Sequence, residues 1–190
     1  MRNIHTIGLG LLFFSQLALA HPGHGFDSVL AGFFHPFAGM DHLLVMLAVG
    51  IWATRQHHNA PWKLPFIFML LMAAGMLFGA WGYQINGLET TIAATVIAMG
   101  LLLASTLRQP ASVTVFMTML FAVLHGMAHG QELSNQQLLA AMLGMLLGTG
   151  CLHLMGVWLG LQQRPLLNWF RQGLACFMIA IGAYWSLMSL

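Results

Sequence analysis

The sequence predicts an all-α fold, a polytopic membrane bundle of six transmembrane helices that follows a cleaved signal peptide, and three observations predict it. Charged residues make up only 5% of the 190-residue chain against 59% hydrophobic, whereas a soluble domain carries charge nearer a quarter of its residues. The apolar residues are grouped in runs of about 20, the length that crosses a hydrocarbon core of about 30 Å. The basic residues collect on alternate connections between those runs, as a chain threading a bilayer requires. Little is left over for a separate soluble domain.

The first twenty residues carry Arg2, an apolar run from Ile7 to Phe14, and Ala18-Leu19-Ala20. These are the charged region, short apolar core and small-residue cleavage site of a secretory signal. Residues 1–20 are therefore expected to be removed, leaving His21 at the mature N-terminus and 21–190 as one transmembrane domain. Six spans follow, near 37–54, 64–82, 89–107, 111–129, 137–161 and 167–188. The connections between them hold the Pro, Gly, Asn and Gln residues expected of turns.

Arg55, Lys63, Arg108, Arg164 and Arg171 lie in or beside the first, third and fifth connections. The positive-inside rule places those connections in the cytoplasm and both mature termini outside, across a bacterial inner membrane. Asp27, Asp41, Glu89 and Glu132 all then fall toward the outer side. Trp52, Trp62, Trp81, Trp158, Trp169 and Trp185 come near span ends, as an interfacial aromatic belt would. Gly75/Gly79, Gly144/Gly148 and Gly156/Gly160 are GxxxG pairs that allow helix backbones to approach closely. Cys151 and Cys176 are isolated within apolar runs and read as packing residues, with neither a disulfide framework nor a CxxC metal site.

Polar residues interrupt this pattern at two places. His35-Pro36-Phe37-Ala38-Gly39-Met40-Asp41-His42 leads into the first span, with Pro36 expected at the first helical turn, His35 at its cap and His42 two turns along the same face. Asp41 could be a direct ligand, or an acceptor that orients an imidazole. The fourth span ends with His125, His129 and Glu132 at i, i+4 and i+7, on one helix face. At 1.5 Å per residue His42 and His125 reach a common depth, roughly 8–10 Å below the outer surface. Ionisable groups in a bilayer are costly, so they pair, line a path or bind an ion.

His153 lies farther inward on the fifth span and reads as a second station, and Glu89 opens the third span on the outer side. His21 and His24 are as well explained by a solvated tail as by metal capture, and His57 and His58 by an ordinary loop. Phe68 reads as packing, with gating of a narrow path as the lesser alternative. Imidazole with carboxylate suits nickel, cobalt, zinc or copper and disfavours magnesium and calcium. Residue chemistry goes no further than that.

The first polar segment resembles the HPxxGxDH signature of the HupE/UreJ family of bacterial nickel permeases, and His125-Gly126-Met127-Ala128-His129-Gly130-Gln131-Glu132 resembles that family's second polar motif. The first is also similar to the HxxxxDH motif of the nickel/cobalt transporter family, but with five intervening residues. The family resemblance implies uptake of Ni²⁺ from the periplasm for hydrogenase or urease maturation, with His35, Asp41, His42, Glu89, His129 and Glu132 as functional positions. The expectation is thus a permease and not an enzyme, without a resident cofactor, whose substrate is Ni²⁺ or another divalent transition ion such as Co²⁺. Its candidate metal residues are those six with His125 and His153. The expected partners are the ion and the lipid bilayer, with no nucleic acid, and the oligomeric state is left open. The competing reading is an intramembrane hydrolase in which the same His and Asp residues hold a catalytic Zn²⁺.

Overall fold

The computed structural model describes residues 28–56, 60–133, 138–162 and 164–189. The signal segment, His21, His24, Asp27, His57 and His58 lie outside the described residues. Those that are described form helices and no strand: α1 (Val29–Ala38), α2 (Met40–Gln56), α3 (Lys63–Ala80), α4 (Leu88–Ala104), α5 (Ala111–Glu132), α6 (Leu138–Leu161) and α7 (Pro165–Met188). Helices α3, α5, α6 and α7 are long and apolar enough to cross a membrane, and α1 with α2 passes as one unit bent by 86°. Helix α4 is apolar but only 17 residues long, about 26 Å of helix. Length and composition therefore give four spans or five, and a sixth is obtained by counting α4.

The first span is not the straight helix its sequence suggested. Helix α1 begins at Val29, where the Ser28 hydroxyl accepts from the Ala31 amide, so Pro36 falls inside the helix and not in its first turn. With no N–H to give to Gly32, Pro36 weakens the last turn, and Gly39 takes an extended conformation (φ −83°, ψ 117°) that ends it. His35 is therefore in the last turn of α1, while Asp41 and His42 open α2. These side chains approach one another around a corner, not along one helix face.

Close backbone packing fixes which way each helix faces. Gly75 and Gly79 of α3 lie against Gly126 and Gly130 of α5, the residue numbers rising together, so the two helices run parallel. Gly50 and Gly156 bring α2 and α6 together in the same sense. Gly144 and Gly148 of α6 receive α1, whose Val29 and Phe33 backbone atoms occupy the space a side chain would need. Such contacts replace the hydrophobic drive that is missing between helices in lipid. Because each histidine of α5 precedes one of its glycines, seating Gly126 and Gly130 on α3 turns His125 and His129 away from that contact by roughly 100°.

Helix α2 is the centre. From Leu44 to Thr54 every residue is buried, the all-round apolar character of a helix enclosed by others. Trp52 is accordingly 1% exposed and belongs to the interior, not to the interfacial belt the sequence suggested, whereas Trp62, Trp81, Trp158 and Trp169 are outward-facing. Cys151 and Cys176 are also exposed on the flanks of the bundle, so the expected packing role does not hold for them. At the end of α2 the Arg55 guanidinium donates to the Leu103 and Ser105 carbonyls, and Arg108 donates to the Arg55 carbonyl. The basic connections are thereby joined at one end of the bundle, opposite the end where α2 starts with Asp41.

Replacing Gly144 with Val would press a branched side chain against the α1 backbone. Overpacking of this kind costs about 1–3 kcal/mol, so the variant should show a lower thermal midpoint in detergent, and an unchanged midpoint would contradict the packing described.

Candidate metal centre

The bend at Gly39 brings α1 and α2 to the end of α5, and four imidazoles meet there. Ring centroids are 4.1 Å apart for His42 and His129, 4.8 Å for His35 and His129, 5.0 Å for His42 and His125, and 6.4 Å for His35 and His42. Two carboxylates flank them. Asp41 Oδ1 is 3.0 Å from His42 Nδ1, and Glu132 Oε2 is 2.9 Å from His35 Nε2 and 3.9 Å from His129 Nδ1. One donor atom from each of His35, His129 and Glu132 already lies within 4.8 Å of the other two, a spacing that one ion can bridge.

The hydrogen bonds determine which nitrogens are offered. His42 Nδ1–H donates to Asp41, His125 Nδ1–H donates to the Phe121 carbonyl at 2.9 Å, and His153 Nδ1–H donates to the Met46 carbonyl at 2.7 Å. With the proton held on Nδ1, the lone pair is at Nε2. In all three residues Nε2 is buried without a hydrogen-bond partner, and in His129 both ring nitrogens are. This is the arrangement of ligating histidines, whose second nitrogen is held by a carboxylate or carbonyl.

Ordinary structural packing does not account for it. The buried hydroxyls of Thr54, Thr95 and Thr118 each donate to a carbonyl of their own helix, Thr114 to the Pro110 carbonyl at the helix cap, and Thr149 to the Met72 sulfur at 4.0 Å, as buried polar groups almost always find a partner. Of the seven buried side-chain polar atoms without a partner among the described residues, five are imidazole nitrogens of these four histidines. Unsatisfied groups are thus concentrated where ligands were expected.

His153 stands beyond this cluster. The Phe68 ring, fully buried, lies 6.4 Å from His125 and 5.0 Å from His153, and so neighbours both. Glu89 is not brought into the group: it is exposed in the first turn of α4 and makes no ion pair or hydrogen bond with the histidines. Met40, the residue before Asp41, is 47% exposed.

Several contributors were not singled out from the sequence. The carbonyls of Phe121 and Met46 fix two rings, and a backbone acceptor leaves no mark in residue type. Gly39 matters because a Cβ there would lie 3.1 Å from both Asp41 Oδ1 and His42 Nδ1, crowding their pair. Its position between Pro36 and Asp41 was a usable signal for a helix break.

Fold and site together define a multi-pass helical membrane protein with a buried histidine and carboxylate cluster suited to a divalent transition ion. A family model described as HupE / UreJ protein matches residues 9–185. A relative, Protein HupE of Rhizobium leguminosarum bv. viciae, is 38% identical over 153 residues, covering 80% of this chain and 80% of that protein. The chain belongs to the HupE/UreJ family. No solved structure matches it.

Asp41→Ala removes the acceptor that fixes the His42 ring. Losing such a partner costs about 10–100-fold in metal affinity or activity, so Ni²⁺ accumulation by the purified variant in liposomes should fall by that factor with helical content preserved, and unaltered accumulation would remove Asp41 from the site.

Proposed function

We propose that this protein is a secondary transporter that takes up Ni²⁺, with Co²⁺ the next candidate, from the periplasm across the bacterial inner membrane for hydrogenase or urease maturation. The observation that carries the reading is the set of buried, unpartnered imidazole nitrogens converging from α2 and α5 beside His35 and the two carboxylates. Nickel in particular is what resemblance to the HupE/UreJ family implies, and the imidazole and carboxylate donors are compatible with it.

Donors at successive depths favour a carrier over the hydrolase alternative. Side-chain exposure falls from 51% at Glu132 to 14% at His35, 10% at His42 and 0% at His129. A hydrated ion meets the acids first, where negative charge attracts it and water still surrounds it. Imidazoles then replace its water, and exchange among several modest ligands lets it leave again. His153, beside Phe68, is the next donor inward. The cluster of arginines at the opposite end of the bundle supports an orientation with the histidines toward the periplasm, and six spans with both mature termini outside complete that reading.

The test is uptake by the purified full chain in liposomes, with Ni²⁺, Co²⁺, Zn²⁺ and Mg²⁺ offered outside. Ni²⁺ should accumulate inside above protein-free vesicles, Mg²⁺ should not, and His42→Ala should abolish accumulation while the protein stays in the membrane. Full accumulation by His42→Ala, or none by the unaltered chain, would reject the proposal.

A further inference from the structure

His129 and His125 have a feature that a single binding site does not explain. His129 is buried with neither ring nitrogen hydrogen-bonded, yet it belongs to the one group among the described residues, with His35 and Glu132, whose donor atoms are already close enough for an ion. That group engages one of its nitrogens. The other remains, and the ring's further neighbours are imidazoles: His42 is 4.1 Å away between centroids, and His125 is 5.0 Å from His42.

We propose that the cluster provides two successive positions for one divalent cation, both using His129. The outer position consists of His35 Nε2, His129 Nδ1 and Glu132, whose donor atoms already have the spacing of one ion, and the inner of the buried, unpartnered Nε2 atoms of His42, His125 and His129, which would close on the ion by side-chain rotation. For its direction of travel this rests on the transport reading above; the two positions themselves concern binding.

Three observations support the division. His129 Nδ1 is the nitrogen turned toward Glu132, and a neutral imidazole has only one lone pair, so the ring serves one position at a time. His42 and His125 both have Nδ1 occupied by a protein acceptor, which leaves Nε2, buried and without a partner, as the one nitrogen each can offer an ion. The chemistry also differs. The outer position contains a carboxylate that is half exposed and suits an ion that still holds water. The inner position has only imidazoles, because Asp41 is bound to His42 Nδ1, and its histidines are nearly or wholly buried. Magnesium and calcium require oxygen ligands, so the inner position, which offers none, rejects them more strongly than the outer, which offers one carboxylate. Capture and selection are thereby assigned to different residues, with His125 a selecting ligand.

The experiment compares Glu132→Gln with two His125 variants in liposome uptake of Ni²⁺ over a range of external concentrations. His125→Asn keeps an amide donor for the Phe121 carbonyl without an Nε2, and His125→Phe fills the volume without any donor, so between them a folded variant is available. Glu132→Gln should raise the half-saturating Ni²⁺ concentration with the maximal rate largely kept. The His125 variants should lower the maximal rate by at least the roughly tenfold that loss of even an outer ligand partner costs, with half-saturation little changed. Equal movement of both parameters in all variants, or wild-type uptake by the His125 variants, would overturn the proposal. Should the unaltered chain show no uptake, the transport reading fails, and equilibrium Ni²⁺ binding then decides this one. Affinity kept in His125→Asn and mostly lost in Glu132→Gln supports two positions; equal losses refute them.

Discussion

A neutral imidazole whose Nδ1–H is tied to an oxygen must present its lone pair at Nε2, and burial in an apolar bundle leaves that lone pair in need of a partner. Three histidines here are held in this way, by Asp41, by the Phe121 carbonyl and by the Met46 carbonyl. Leaving a buried acceptor unsatisfied costs about 1–3 kcal/mol. A bundle that gives its buried threonines partners yet leaves its histidines open therefore carries stored affinity for whatever supplies the missing bond. A cation with borderline-soft character does so, and the neighbouring carboxylates offset its charge.

That state depends on helix packing remote from the histidines. Helix α5 could place His125 and His129 in lipid as readily as in the interior, and its rotation is decided by Gly126 and Gly130, which fit against α3 only on one face. Helix α1 is held against α6 by Gly144 and Gly148, which places the corner at Gly39 over the end of α5 and brings His35 to Glu132. The small residues thus aim the polar ones. Polar side chains in a membrane interior are tolerated where they face one another, and these contacts ensure that they do.

Much of this was legible in the residues. Composition and run lengths marked a helical membrane bundle, the i, i+4, i+7 spacing put His125, His129 and Glu132 on one face, and counting along helices brought His42 and His125 to one depth. The corner between α1 and α2 was not read, because the first span was placed from residue 37 with Pro36 at its first turn, and the helical turns from Val29 that put Pro36 inside a helix of its own were not anticipated. Trp52 was assigned to the interface from its place near a span end, but α2 is enclosed on all sides, which depends on neighbours and not on position along the helix. Glu89 was included as the acid that opens the third span on the outer side and through the family resemblance, and the packing of α4 leaves it exposed and, among the described residues, without a polar contact to the histidines. The backbone carbonyls that orient His125 and His153 are invisible to any reading of side chains.

The central claim is that imidazoles and carboxylates from separate helices converge on one cation. X-ray absorption at the nickel edge, on purified protein loaded with Ni²⁺ and freed of excess metal, addresses it most directly. The account predicts a bound ion in a shell of nitrogen and oxygen donors, with the outer-shell scattering characteristic of several imidazoles and no sulfur. A spectrum of hexaaqua nickel, a sulfur shell from the methionine-rich core, or no retained nickel would contradict it.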